Sequence, residues 1–217
     1  VADRPSQRPS GPAFQGNHPG LRTNGKAFRL SVILFTISAI LLIASIPLPY
    51  WHLRLLAPQY PDGLNVWAYI NRLTGDVQEI DILNHYIGMR SLQEAARFER
   101  TLSIPGVIVL AFLVIITPFI RARWARFLAL PALLFPVIFV GDLYFWLTYY
   151  GTNLDPYAPL SGAIKPFVPR MLGENRVGQF STIASFDTGF YLATAASVLI
   201  LAGLYFLRKA AQPTSST

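Results

Sequence analysis

The sequence predicts an all-α membrane protein with four transmembrane helices, both termini in the cytoplasm and a small β-hairpin-containing cap on the outer face. Three observations predict it. Of the 217 residues, 53% are hydrophobic and only 13% are charged, about half the charged share of a soluble domain. Four apolar stretches are long enough to cross a hydrocarbon core, which takes roughly 20 helical residues at 1.5 Å each. Finally, the charge is sorted by segment. Arg4, Arg8, Arg22, Lys26 and Arg29 gather at the start of the first stretch, Arg121, Arg123 and Arg126 between the second and third, and Arg208 and Lys209 after the fourth. Asp3 is the one acid among them, whereas the other two connections are close to charge-balanced. Basic segments stay in the cytoplasm, so the net charge of +7 reports topology and not nucleic-acid binding. The expected location is a multi-pass position in the inner (plasma) membrane of a prokaryote.

Taken in order, residues 1–27 are rich in Pro, Gly, Ser and Arg and read as a disordered cytoplasmic tail. The domain from 28 to 207 holds spans at about 28–49, 104–120, 124–150 and 188–207, and a second cytoplasmic tail covers 208–217. The first span reads as a retained helix, because its apolar run is full length and no clear A-x-A cleavage site follows. The second is short, but Pro105 suits its first turn and Arg121 and Arg123 mark its exit. Pro131 and Pro136 are placed to kink the third. Gly189, Ala193 and Ser197 recur every fourth position on the last helix, a spacing that brings helices close together.

The outer loops are 50–103 and 151–187. In the first, Trp51 to Ala57 has strand character, and Leu64 to Ile70 and Val77 to Leu83 alternate apolar with polar. Gly75-Asp76 lies between those two as a turn signal, which predicts a hairpin. Ser91 and Glu94 form a capping-box pattern that opens a short helix to about Arg100. The second loop is rich in Pro and Gly and predicts irregular structure ordered by packing, with Tyr157, Phe167, Met171 and Phe180 as anchors. The aromatic residues near the outer boundary, such as Tyr50, Trp51, Tyr149 and Tyr150, suit an interfacial belt.

Few residues are suited to chemistry. There is no cysteine, which excludes disulfides, thiolate metal sites and cysteine nucleophiles. The three histidines, His18, His52 and His85, all lie outside the predicted spans, so no intramembrane haem is expected. Neither H-E-x-x-H nor a P-loop is present, and the expectation is a protein without enzymatic activity. His85 and Met89 stand four residues apart, a spacing that places both on one face of a helical turn. Imidazole with thioether suits Cu(I). Met171 and His52 are candidates to complete such a site. On the other reading, His85 bonds a loop carbonyl and Met89 packs beneath the cap. Asp142 sits inside the third span, roughly 12 Å from its outer end at helical rise, where a carboxylate is costly unless paired, protonated or wet. Tyr144, Tyr149, Arg170 and Arg176 are its candidate partners, and both a functional role and a structural hydrogen bond between helices remain open.

Several segments together carry a resemblance. Ala57-Pro58-Gln59-Tyr60-Pro61 with Gly63-Leu64, then Leu83-Asn84-His85-Tyr86-Ile87-Gly88-Met89, then Tyr150-Gly151 with Asn153-Leu154-Asp155-Pro156 occur in this order. Across residues 28–207 the chain resembles small four-helix bacterial membrane proteins found beside nitrous oxide reductase and copper-delivery genes. The resemblance implies a non-enzymatic accessory protein in copper handling, or in maturation of an exported copper enzyme. It adds Asn153 and Asp155, with Asp142, to a shared outer-face site. The alternative is a structural subunit of a larger respiratory or photosynthetic complex; a small transporter is a third reading. Either of the first two expects a membrane or periplasmic protein partner in addition to the bilayer.

Overall fold

The computed structural model describes residues 25–120, 123–160, 162–177 and 180–211. The expected tails at 1–27 and 208–217 therefore lie outside the described residues, except for their helical ends. Among the described residues four helices are long and apolar enough to cross a membrane. They are α1 (Gly25–Ser45), α3 (Arg97–Ile116), α4 (Leu130–Thr152) and α5 (Thr188–Ala210), and a shorter helix, α2 (Val77–Ile87), lies in the first loop.

The bundle is organised around the antiparallel pair α1 and α5. On α1 the buried stripe is Ser31, Phe35, Ser38, Ala39, Leu42 and Ser45. On α5 it includes Gly189, Ala193, Ala196, Ser197, Ile200 and Gly203, so the small residues do mark a close helix contact. At Gly203 an added Cβ would stand 3.2 Å from the Phe35 ring. The buried serines are satisfied within their own helix, as lipid requires: the Ser31 hydroxyl donates to the Phe28 carbonyl at 2.7 Å and Ser38 to Leu34 at 2.8 Å. α3 packs on α1 and α4 on α5, with Val107, Val114 and Ala132 closing a shared core.

Above this bundle both loops build one antiparallel sheet. Its strands are β1 (Trp51–Ala57), β2 (Tyr60–Ala68), β3 (Leu73–Gly75), β4 (Gly173–Val177) and β5 (Phe180–Phe186), in the order β3-β2-β1-β5-β4. The central pair joins residues far apart in sequence, with Trp51 opposite Phe186 and Leu53 opposite Ala184. β1 starts six residues after α1 ends, and β5 runs into α5 through Asp187, whose carboxylate accepts from the Thr188 N–H at 2.6 Å. The helix pair α1 and α5 thus continues upward as the strand pair β1 and β5.

The expected strand at Val77 to Leu83 is helix α2. Its buried residues, Val77, Ile80, Asn84 and Ile87, follow a helical period, and Gly88 at φ +82° ends it with a left-handed cap. Gly75 of the expected Gly75-Asp76 turn is the last residue of strand β3 instead. The second loop is irregular only as far as Leu172, after which it forms the β4–β5 hairpin. The Ser91 motif opens a single 3-10 turn, Leu92–Glu94, and α3 begins separately at Arg97, so Pro105 lies inside that helix and not in its first turn.

Candidate functional site: the cap and its junction with the bundle

Tyr50 is the keystone of the junction. Its ring is fully buried, held against Phe135 and Phe139 at centroid distances of 6.1 and 5.0 Å. The Tyr50 and Ser45 hydroxyls share a hydrogen bond of 2.7 Å. The Tyr50 N–H donates to the Ala68 carbonyl at 2.8 Å, and its carbonyl accepts from the Asp187 N–H at 3.0 Å. One residue therefore ties α1, β2 and the start of α5 together. Burial pushes the Tyr50 phenol up to about 12, because an ionised ring would lose its hydration.

Strand alternation separates two faces of the sheet. Trp51, Leu53, Leu55, Val66 and Ala68 point toward the bundle and line a cavity of about 160 Å³, closed from below by Leu143 and Leu147 of α4. His52, Asn65 and Trp67 occupy the opposite face. There the His52 ring stacks on Trp67 at 4.9 Å, and His52 Nε2 lies 3.1 Å from Asn65 Oδ1.

Four of the predicted site residues do come together. His85, Met89, Asn153 and Asp155 line one open groove with Asp81 and Arg90, where the turn after α2 docks on the segment after α4. The docking is made by the backbone. The Asp155 N–H donates to the Gly88 carbonyl at 2.8 Å, and the Leu160 N–H to the Tyr86 carbonyl at 2.9 Å. The polar side chains serve local turns: Asp155 Oδ1 accepts from the Tyr157 N–H at 2.9 Å, Asn153 Nδ2 donates to the Tyr149 carbonyl at 2.8 Å, and Asp81 accepts from the Ser91 hydroxyl and the Leu92 N–H.

The expected copper site is overturned by this geometry. Among the described residues no group of three or more His, Cys, Asp or Glu side chains is arranged to hold a metal ion. The helical spacing of His85 and Met89 is lost because α2 ends at Ile87 and Gly88 turns the chain into the left-handed region. His85 is exposed, whereas Met89 packs inward against a cluster of Ala57, Ile87 and Phe180. His52 lies on the far face of the sheet. Met171 contributes its carbonyl, which accepts from Trp51 Nε1 at 2.8 Å.

Asp142 sits higher than its sequence position implies. Leu143 and Leu147, in the next turns of α4, pack against the sheet residues Trp51, Ala68 and Ala184, and Phe139, one turn below, meets Tyr50 just beyond the end of α1. The last turns of α4 thus rise into the cap, and Asp142 lies at the rim of the bundle instead of deep within it. Among the described residues it makes no ion pair, so none of the four expected partners neutralises it. Glu99 and the Trp146 indole are close enough to act on it electrostatically. The indole N–H is buried without a well-formed hydrogen bond, as is Nε of Arg100 in α3, whose guanidinium reaches the Gln93 carbonyl through its other nitrogen. Sequence reasoning missed Glu99, Arg100 and Trp146; the one available signal was the pair of charges just before the second apolar run. No family model matches the chain, and no curated protein shows significant similarity to it.

Proposed function

We propose that the protein is a non-catalytic accessory subunit of a larger membrane complex, seated in the inner membrane with its cap outside and gripping its partner along α4. The observation that carries this reading is the exposed face of that helix. Leu134, Val137, Ile138, Tyr144 and Phe145 form an uncovered stripe beside half-buried Asp142. Only 17% of the most apolar stretch of α4 is buried, against 28–33% in the other three spans. At the rim of the bundle, a half-buried carboxylate beside an apolar stripe carries a hydration cost while unpaired. A partner helix carrying a cation or a hydrogen-bond donor would remove that cost, and its apolar face would cover the stripe. The likeness of three sequence segments to small bacterial membrane proteins that accompany an exported reductase suits an accessory role, and no part of the reading needs a bound metal.

Gentle solubilisation of native membranes followed by mass measurement of the intact complex tests the proposal. The wild-type chain is expected in an assembly larger than itself, and Asp142→Leu is expected to release it as a folded single chain. A wild-type chain that is already free, or an Asp142→Leu variant that stays fully assembled, would overturn it.

A further inference from the structure

We propose that the cavity beneath the cap sheet binds the hydrocarbon chain of a single-chain carboxylate, a medium-chain fatty acid, with Arg170 holding the head group. Packed interiors leave few voids larger than a water molecule, yet about 160 Å³ lies open between the sheet and the upper turns of α4. Trp51, Leu53, Val66, Leu143, Leu147 and Phe180 make its walls. An apolar cavity of roughly this volume stays dry and takes up apolar molecules.

The lining is not uniform. Asn84 of α2 lies on one wall, whereas Arg170, Asn175 and Thr182 come from β4, β5 and the segment leading into them, so the cation stands on the β4–β5 side. Arg170 is exposed, and its one hydrogen bond among the described residues is a long 3.5 Å contact to the Glu174 carbonyl. Its guanidinium keeps donors free for a carboxylate, the group it matches with two parallel bonds. One chain end fits the volume, whereas the two chains of a phospholipid exceed it. A neutral apolar ring would leave the cation at the rim unused.

Trp51 and Trp146 line the cavity and report on it directly. The test uses the full chain in phosphatidylcholine nanodiscs, titrated with ω-bromoundecanoate and separately with its methyl ester, reading quenching of tryptophan fluorescence by bromine. Saturable quenching is expected with the acid, and the acid should bind about tenfold more tightly than the ester. Arg170→Gln should erase that difference and leave ester binding unchanged. Ala68→Leu, which fills the cavity, should abolish saturation. Because Arg170 is exposed, its variant keeps the test decisive even if Ala68→Leu disturbs the sheet. Quenching that rises without saturation, or that is equal for acid and ester in the wild-type chain, overturns the proposal.

Discussion

Gly189→Ala is the substitution by which the keystone packing is best tested. A Cβ built on Gly189 would stand 2.6 and 2.7 Å from two carbons of the Tyr50 ring and 2.9 Å from the Leu48 carbonyl oxygen. Ordinary contacts of this kind begin near 3.4 Å. The ring has no room to retreat, because it is fully buried between Phe135 and Phe139 and its hydroxyl is bonded to Ser45. Overpacking of this severity belongs at the upper end of the usual ~1–3 kcal/mol. Alanine recovers roughly 0.8 kcal/mol of helix propensity over glycine, leaving a net loss of about 2 kcal/mol. For a chain of this length that lowers the melting temperature by about 4–8 °C. Gly106→Ala in α3 is the matched control. A Cβ there meets nothing within 4 Å, so only the propensity gain remains and stability should hold or rise slightly. Thermal unfolding of both variants in one detergent gives the comparison. If Gly189→Ala melts at or above the wild-type temperature, Tyr50 does not pack against α5 as described.

Two further predictions concern the same junction and the loop contact. The Tyr50 phenol titrates near 10 when unfolded and near 12 when folded, so the native state favours the neutral ring. That contribution is complete below pH 10 and is lost as pH rises toward 12, by about 2 kcal/mol relative to Tyr50→Phe; parallel alkaline melting curves for the two chains would refute it. Gly88→Ala places a Cβ 2.7 Å from the Asp155 carbonyl oxygen at φ +82°, which should undock the loop. Faster hydrogen exchange at the Asp155 and Leu160 amides, with the transmembrane amides unchanged, is the expected readout.

The spans were legible because lipid demands long apolar runs and leaves little room for other solutions. Their ends were less so. Leu143 and Leu147 are apolar because the cap covers them, and hydropathy does not distinguish a sheet from lipid as the covering surface; this is why Asp142 read as deeper than it is. The segment from Val77 to Leu83 satisfies both an alternating and a helical pattern, and the choice rests on what lies above it: Val77 and Ile80 pack with Leu64 and Val66 of the sheet. The β1–β5 pairing had no local signature, since its partners come from loops separated by two spans. At the candidate site, the groove shared by His85, Met89, Asn153 and Asp155 was legible, whereas its chemistry was not. A spacing of four implies one helical face only while the helix continues, and Gly88 ends it between the two side chains.

The register of the central strands bears on how such a protein can act on a partner. A slip of one residue between β1 and β5 would turn Trp51 and Leu53 out of the cavity and bring His52 in, because neighbouring side chains face opposite ways. That exchange would bury a polar ring and expose two large apolar ones, so the register is firmly held. β1 follows α1 after a five-residue connection and β5 runs into α5 through Asp187, and Tyr50 bonds to β2 while packing on α4. A tilt between the two helices therefore cannot be absorbed at the membrane surface; it must shear a sheet whose side-chain pattern resists shear. The Tyr50 contacts and the Asp187 link thus couple the cap to the bundle. A partner held along α4 would consequently find the outward face of the sheet, with its His52–Trp67 stack, at a fixed height and angle.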